Sequence, residues 1–118
     1  MYKMTLLFRQ PAADQWAGFE EQWAMHFRPL AEQMPGLRRV AVGHVVGSPN
    51  GKTEYTRFHE FYFDSREALD RALTSEVGVK AGRALMGFAA KSVEILFLDV
   101  FEEANMDILN AENAPFGP

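Results

Sequence analysis

Residues Tyr2 to Arg9 form a short apolar run bounded by Gln10-Pro11, which predicts a strand. From about Asp14 to Gln33 the period changes. Trp16, Phe19, Trp23, His26, Phe27, Leu30 and Met34 recur at steps of three and four, which predicts one face of a helix with Asp14 as its cap. Pro29 lies inside that helix and leaves the carbonyl of Met25 without its usual donor, so a bend is expected beside His26. Pro35-Gly36 stops the helix, and Leu37 to Val46 reads as a second strand ending at Gly47-Ser48-Pro49-Asn50-Gly51, where Asn50-Gly51 signals a hairpin turn. Tyr55 to Phe63 is the returning strand. Asp64-Ser65 then caps a helix that runs to about Thr74 and resumes from Ser75 toward Phe88, and Ser92 to Phe101 is the last strand.

The order strand, helix, strand, strand, helix, strand predicts an α+β fold, the ferredoxin-like βαββαβ arrangement. Right-handed crossovers put both helices on one face of a four-stranded antiparallel sheet. Within the second helical stretch, Val77, Ala81, Ala84, Leu85 and Phe88 form an inward stripe, Lys80, Arg83 and Lys91 can face water, and Gly78, Gly82 and Gly87 weaken the helix. Ile95-Leu96-Phe97-Leu98 and Phe61-Tyr62-Phe63 are apolar on both parities, so both faces of the sheet call for burial. Two helices cover one face, and a second copy of the chain is the economical cover for the other. The expectation is a homodimer with its sheets facing each other; the competing reading is tolerated surface hydrophobics.

At 118 residues the chain has room for one domain. It contains no cysteine, which removes thiolate nucleophiles, disulfides and thiolate metal sites together. A formal net charge of -4 opposes phosphate backbones and anionic membranes, so neither nucleic acid nor a membrane is an expected partner. The first apolar run is too short for a signal peptide or a membrane span, and the expected location is the cytoplasm.

Chemistry centres on His26, an imidazole placed by spacing on an apolar stripe. A desolvated neutral imidazole can accept a proton at one nitrogen while donating from the other, as a general base does near pH 7; the alternative is a core histidine held by a backbone carbonyl. If Phe63 points toward the helices, alternation sends Phe61 and His59 to the same side, where Trp23, Phe27, His59 and Phe61 would line an apolar pocket for a flat aromatic or alicyclic molecule. Glu60 and Tyr62 would then lie on the sheet face inside the dimer. The opposite parity exchanges these assignments, and the same rings can simply fill a core. His26, His44 and His59 occupy different elements without close ligand spacing, so no metal is expected. Haem attachment, a nucleophile elbow and phosphate-binding glycine loops have no matching motif.

Four features together resemble the EthD-like members of the dimeric α+β barrel superfamily. They are the strand ending Phe8-Arg9, the helix with His26 and then Pro29-Leu30, Pro35-Gly36-Leu37 opening the next strand, and Tyr62-Phe63-Asp64-Ser65 entering the second helix; Leu73-Thr74-Ser75-Glu76 also fits. The resemblance covers roughly residues 1–101. It implies a ferredoxin-like protomer, a barrel formed through the sheets, and a small apolar pocket between sheet and helices. It also implies a small-molecule enzyme working without metal or organic cofactor, with His26 the functional group carried over. The expected activity is a cofactor-independent oxidoreductase, with a lactone isomerase or cyclase, or a non-catalytic binding protein, as alternatives. Met106, Ile108, Leu109 and Phe116 give the 102–118 tail apolar groups expected to dock on the partner subunit.

Overall fold

A computed structural model describes residues 1–104, so the expected docking of the tail falls on residues outside those described. Strand β1 (Tyr2–Arg9) leads into helix α1 (residues 13–31), followed by β2 (Arg39–His44), β3 (Tyr55–Phe63), α2 (Arg66–Thr74), α3 (Glu76–Ala89) and β4 (Val93–Asp99). The strands make one antiparallel sheet in the order β2-β3-β1-β4. This is the ferredoxin-like α+β protomer, with α1 and α3 packed together over the core.

The geometry of α1 departs from a uniform helix. A 3-10 turn at Ala13–Gln15 and an α-helical stretch at Trp16–Glu21 lead into a π-helical stretch at Gln22–Phe27, and Arg28–Ala31 is α-helical again. Asp14 lies inside the opening turn and caps nothing; the cap position is Ala12, whose methyl group accepts no hydrogen bond. The Arg28 amide donates to the carbonyl of Trp23, five residues back. Pro29 is the physical cause: without an amide hydrogen it cannot close the ordinary bond to Met25, and a wider turn absorbs the vacancy. In a wider turn each residue rotates by less than the α-helical value of about 100°. Steps of four therefore stay on one face, and Phe19, Trp23, Phe27 and Ala31 are all buried. His26, three residues beyond Trp23, falls off that face and is exposed.

Alternation along β3 puts Arg57, His59, Phe61 and Phe63 on the helix side, where all four are buried. Register aligns Leu6 with His59 and Ile95, and Met4 with Phe61 and Phe97, on that same side. The open face carries Lys3, Thr5, Leu7, Phe58, Glu60, Tyr62, Leu96 and Leu98. Tyr62 is buried there under two cations, with the Arg39 Cζ 4.0 Å and the Lys3 Nζ 5.3 Å from its ring centroid. Its hydroxyl donates to Glu60 Oε1 at 3.1 Å, Thr5 donates to Glu60 Oε2 at 2.9 Å, and Lys3 pairs with the same carboxylate at 3.1 Å. Leu96 and Leu98 remain 42% and 37% exposed. Between β2 and β3, the Gly51 amide donates to the Ser48 carbonyl at 2.8 Å and Gly51 has φ +92, so Asn50-Gly51 completes one turn of a longer loop and not a two-residue hairpin.

Ser65 caps α2, its hydroxyl oxygen accepting from the Ala68 amide at 3.1 Å. Ser75 joins α2 to α3 by donating to the Ala72 carbonyl at 2.6 Å and accepting from the Gly78 amide at 3.1 Å. The chain turns so tightly there that a Cβ on Gly78 would lie 2.0 Å from the Ala72 carbonyl oxygen, whereas a Cβ on Gly82 would meet nothing within 4 Å. Gly78→Ala should therefore destabilise the protein by about 1–3 kcal/mol, and Gly82→Ala should leave it unchanged or stabilise it by up to about 1 kcal/mol. Urea unfolding of both variants checks this; equal stabilisation by the two substitutions would show that the close approach imposes no constraint.

Candidate functional site

Because the inner face of α3 carries Gly78, Ala81 and Gly82, its side chains do not fill the space between the helix and the sheet. A cavity of about 440 Å³ remains. Met4 and Leu6 of β1 and Phe27, Ala31 and Met34 form its wall beneath α1. Ala81 and Leu85 of α3 close the other side, with Ile95 and Phe97 of edge strand β4 at its open flank. Ile95 and Phe97 are partly exposed because no further strand lies beyond β4. The volume suits a small organic molecule, and the wall offers shape and dispersion contacts in place of directional hydrogen bonds. Arg83 is the one charged residue among those lining it.

The expected pocket residues gather around a different imidazole. His59 is completely buried, stacks on Phe61 at 4.3 Å between ring centroids, and meets Trp23 and Phe27 edge-on at 5.6 and 5.8 Å. Trp23, Phe27, His59 and Phe61 thus form one aromatic cluster, as alternation requires. Of these four, Phe27 alone reaches the cavity, and the rest pack behind its wall. His26 belongs to neither the cluster nor the lining. The apolar stripe placed its imidazole in an enclosed pocket; on the single chain the π-helical turn instead leaves the side chain exposed and outside this cavity.

Charged groups that the helical stripe did not reveal surround His59. Glu32, just after α1, accepts a hydrogen bond from Arg28 Nε at 2.6 Å and lies 3.1 Å from His59 Nε2 through the same oxygen. Arg57 is buried, donates to Glu20 at 2.6 Å, and places its Cζ 4.2 Å from the Trp23 ring centroid. Arg28 approaches the same ring at 5.2 Å. Burial chiefly, and then the positive charges of Arg28 and Arg57, hold the His59 pKa down at about 3. His59 is therefore neutral, donates Nε2–H to Glu32, and keeps Nδ1 as a buried acceptor with no partner among the described residues. An imidazole with so low a pKa is a poor base near neutral pH. Arg57 was legible from the β3 alternation that also placed His59; Glu32 was not, because it follows the last helical turn. Among the described residues, no three histidine, aspartate or glutamate side chains come together as a metal site, and no helix is long and apolar enough to cross a membrane.

The element order, the sheet topology and the chamber between sheet and helices define a ferredoxin-like α+β protein. An EthD (ethyl tert-butyl ether D) family protein from Bacillus halodurans is 33% identical and superimposes with a TM-score of 0.76, the match covering 86% of this chain and 99% of that one. The chain belongs to the EthD family. A dimeric ferredoxin-like protein of unknown function from Jannaschia sp. CCS1 is 20% identical with a TM-score of 0.62, over 85% of this chain and 100% of the other. SnoaB, a cofactor-independent oxygenase from Streptomyces nogalater, shares the fold at 15% identity and a TM-score of 0.57, over 86% and 93% of the two chains. In sequence, an uncharacterized 11.0 kDa protein of the thcB-thcC intergenic region of Rhodococcus erythropolis is 28% identical over 99 residues, 84% of this chain and 94% of that protein. No protein-family model matches the chain.

The low pKa of His59 carries a pH dependence of known sign. Its folded value of about 3 lies below the model-peptide value of 6.5. The unfolded chain thus takes up a proton that the folded chain refuses, and the associated stability is fully present above about pH 6.5 and lost as pH falls toward 3. Between pH 7 and pH 5 the wild type should lose about 2 kcal/mol more than His59→Phe, measured by urea unfolding. Imidazole NMR should show His59 neutral at pH 5; a protonation midpoint above pH 6 would overturn the assignment.

Proposed function

We propose that this protein is a small-molecule enzyme of the EthD type, a cofactor-independent oxidoreductase that takes a small aromatic or alicyclic compound into the chamber between sheet and helices. The observation that carries the reading is the apolar cavity of about 440 Å³ in a chain of this family. An electron-rich organic substrate can itself reduce dioxygen, and both dissolve in an apolar chamber. Walls of methionine, leucine and phenylalanine favour an apolar organic body over water in the chamber. The cofactor-independent oxygenase that shares the fold supports this reading at the level of architecture. His59 has a positioning role, holding Glu32 and the end of α1 against the chamber.

A second reading, a non-catalytic carrier or sensor of the same compound, is favoured by one feature: apart from Arg83, the described lining residues carry no acid or base. Oxygen uptake separates the two. Purified protein should bind naphthalene saturably in either case, and Ala81→Phe, which sets a ring into the chamber, should weaken binding at least about tenfold while the variant still unfolds cooperatively. Unchanged affinity in that variant would place the ligand elsewhere. Mass spectrometry of an organic extract then supplies candidate substrates for the oxygen electrode, and turnover without oxygen consumption would point to an isomerase or cyclase.

We propose that the protomer pairs through its open sheet face, in keeping with the dimeric neighbour of the same fold. Leu96 and Leu98 give that face an apolar flank, and Lys3, Glu60 and Tyr62 give it a polar centre. Light scattering should return twice the mass of the 13.3 kDa chain, and Leu96→Glu should shift the protein toward monomer. A wild-type monomer at micromolar concentration, or a Leu96→Glu dimer of undiminished stability, would refute pairing through this face.

A further inference from the structure

The chamber is apolar, yet a cation stands in its lining. Arg83 is exposed on α3, beside Met86 and Gly82, which also line the space. A basic residue on an exposed helical face can pair with an acidic neighbour three or four positions away. Lys80 has one: it pairs with Glu76 at 3.4 Å. The helical neighbours of Arg83 at the corresponding positions are Val79, Lys80, Met86 and Gly87, none of them acidic, and among the described residues it forms no ion pair. Seven of the twelve Lys and Arg side chains have a carboxylate within ion-pairing distance among the described residues; Arg83 is one of the five that do not, with Arg39, Lys52, Arg71 and Lys91, and of these five it alone lines the chamber. The protein as a whole carries a formal charge of -4, so its long-range field does not gather anions. Any preference for an anion at this chamber has to arise locally.

We infer that the ligand of the chamber is a hydrophobic organic acid, its ring or alicyclic body inside the apolar wall and its carboxylate on the guanidinium of Arg83. This rests on the chamber being the binding site. A planar guanidinium presents two parallel N–H donors to a carboxylate, which fixes the direction of the bound molecule as well as its charge. An apolar wall cannot orient a ring by itself; one charged contact at the chamber edge can.

The test uses full-length protein and two fluorescent probes of nearly the same shape, 2-naphthoate and 2-naphthamide, titrated at pH 7.5 with wild type, Arg83→Gln and Arg83→Lys. Wild type should bind naphthoate about five- to tenfold more tightly than naphthamide, Arg83→Gln should reduce the preference to within about twofold, and Arg83→Lys should keep part of it. The preference in wild type should also shrink as salt is raised from 20 to 300 mM, a range across which exposed charges become screened. Equal binding of both probes by wild type, or a preference that survives in Arg83→Gln, overturns the inference while leaving the chamber as the binding site. Failure of wild type to bind either probe removes the chamber reading and the inference together.

Discussion

Pro29 has no amide hydrogen, and the inward face of α1 depends on that missing donor. An ordinary α-helix closes a bond from residue 29 to the carbonyl of Met25; here the chain widens into a π-helical stretch at Gln22–Phe27. The wider turn keeps Trp23, Phe27 and Ala31 in register along one side, where a uniform helix would carry steps of four progressively off it. Phe27 can then serve two neighbours at once. Its ring meets His59 at 5.8 Å and also forms part of the chamber wall. The cavity and the buried imidazole are therefore two sides of a single packing decision.

What α1 does on one side of the chamber, α3 does on the other by leaving atoms out. Ser75 ends α2 and begins α3 with a single side chain, and Gly78 allows the new helix to pass the Ala72 carbonyl at a distance no larger residue tolerates. Ala81 and Gly82 follow on the same side. Small residues on this side leave an apolar cavity, and its opening at Ile95 and Phe97 gives a ligand a way to occupy it. This is the physical ground for reading it as a binding site and not as a packing fault.

Most of the fold was legible because strands report their faces with a period of two whatever lies around them. Tyr2–Arg9 and Tyr55–Phe63 have the expected bounds, and alternation from Phe63 placed Phe61 and His59 on the helix side. The helical site was less legible for a specific reason. Counting steps of three and four assumes a constant turn, and His26 falls on the buried stripe only under that assumption; although Pro29 signalled a disturbance, its spacing did not reveal that the helix would widen. Arg83 was hidden differently. An exposed basic residue looks like solvent-facing decoration until the empty space beside it is known, and that space is made by glycine and alanine, which leave little trace in a hydrophobic pattern. Glu32 escaped notice because it acts across the sheet–helix interface on a residue 27 positions away.

The cluster behind the chamber also explains why a titratable group can sit in this core without titrating near neutral pH. Protonating His59 would bring a third positive charge close to Arg28 and Arg57 in a desolvated place, and the one facing carboxylate is already shared with Arg28. Neutrality lets the imidazole act as a flat polar ring, stacked on Phe61 and donating one hydrogen bond that fastens the end of α1 to β3. That fastening holds Phe27 and Ala31 at their depth in the chamber wall. The imidazole is thus held neutral behind a cavity whose lining, among the described residues, carries Arg83 as its one charged side chain.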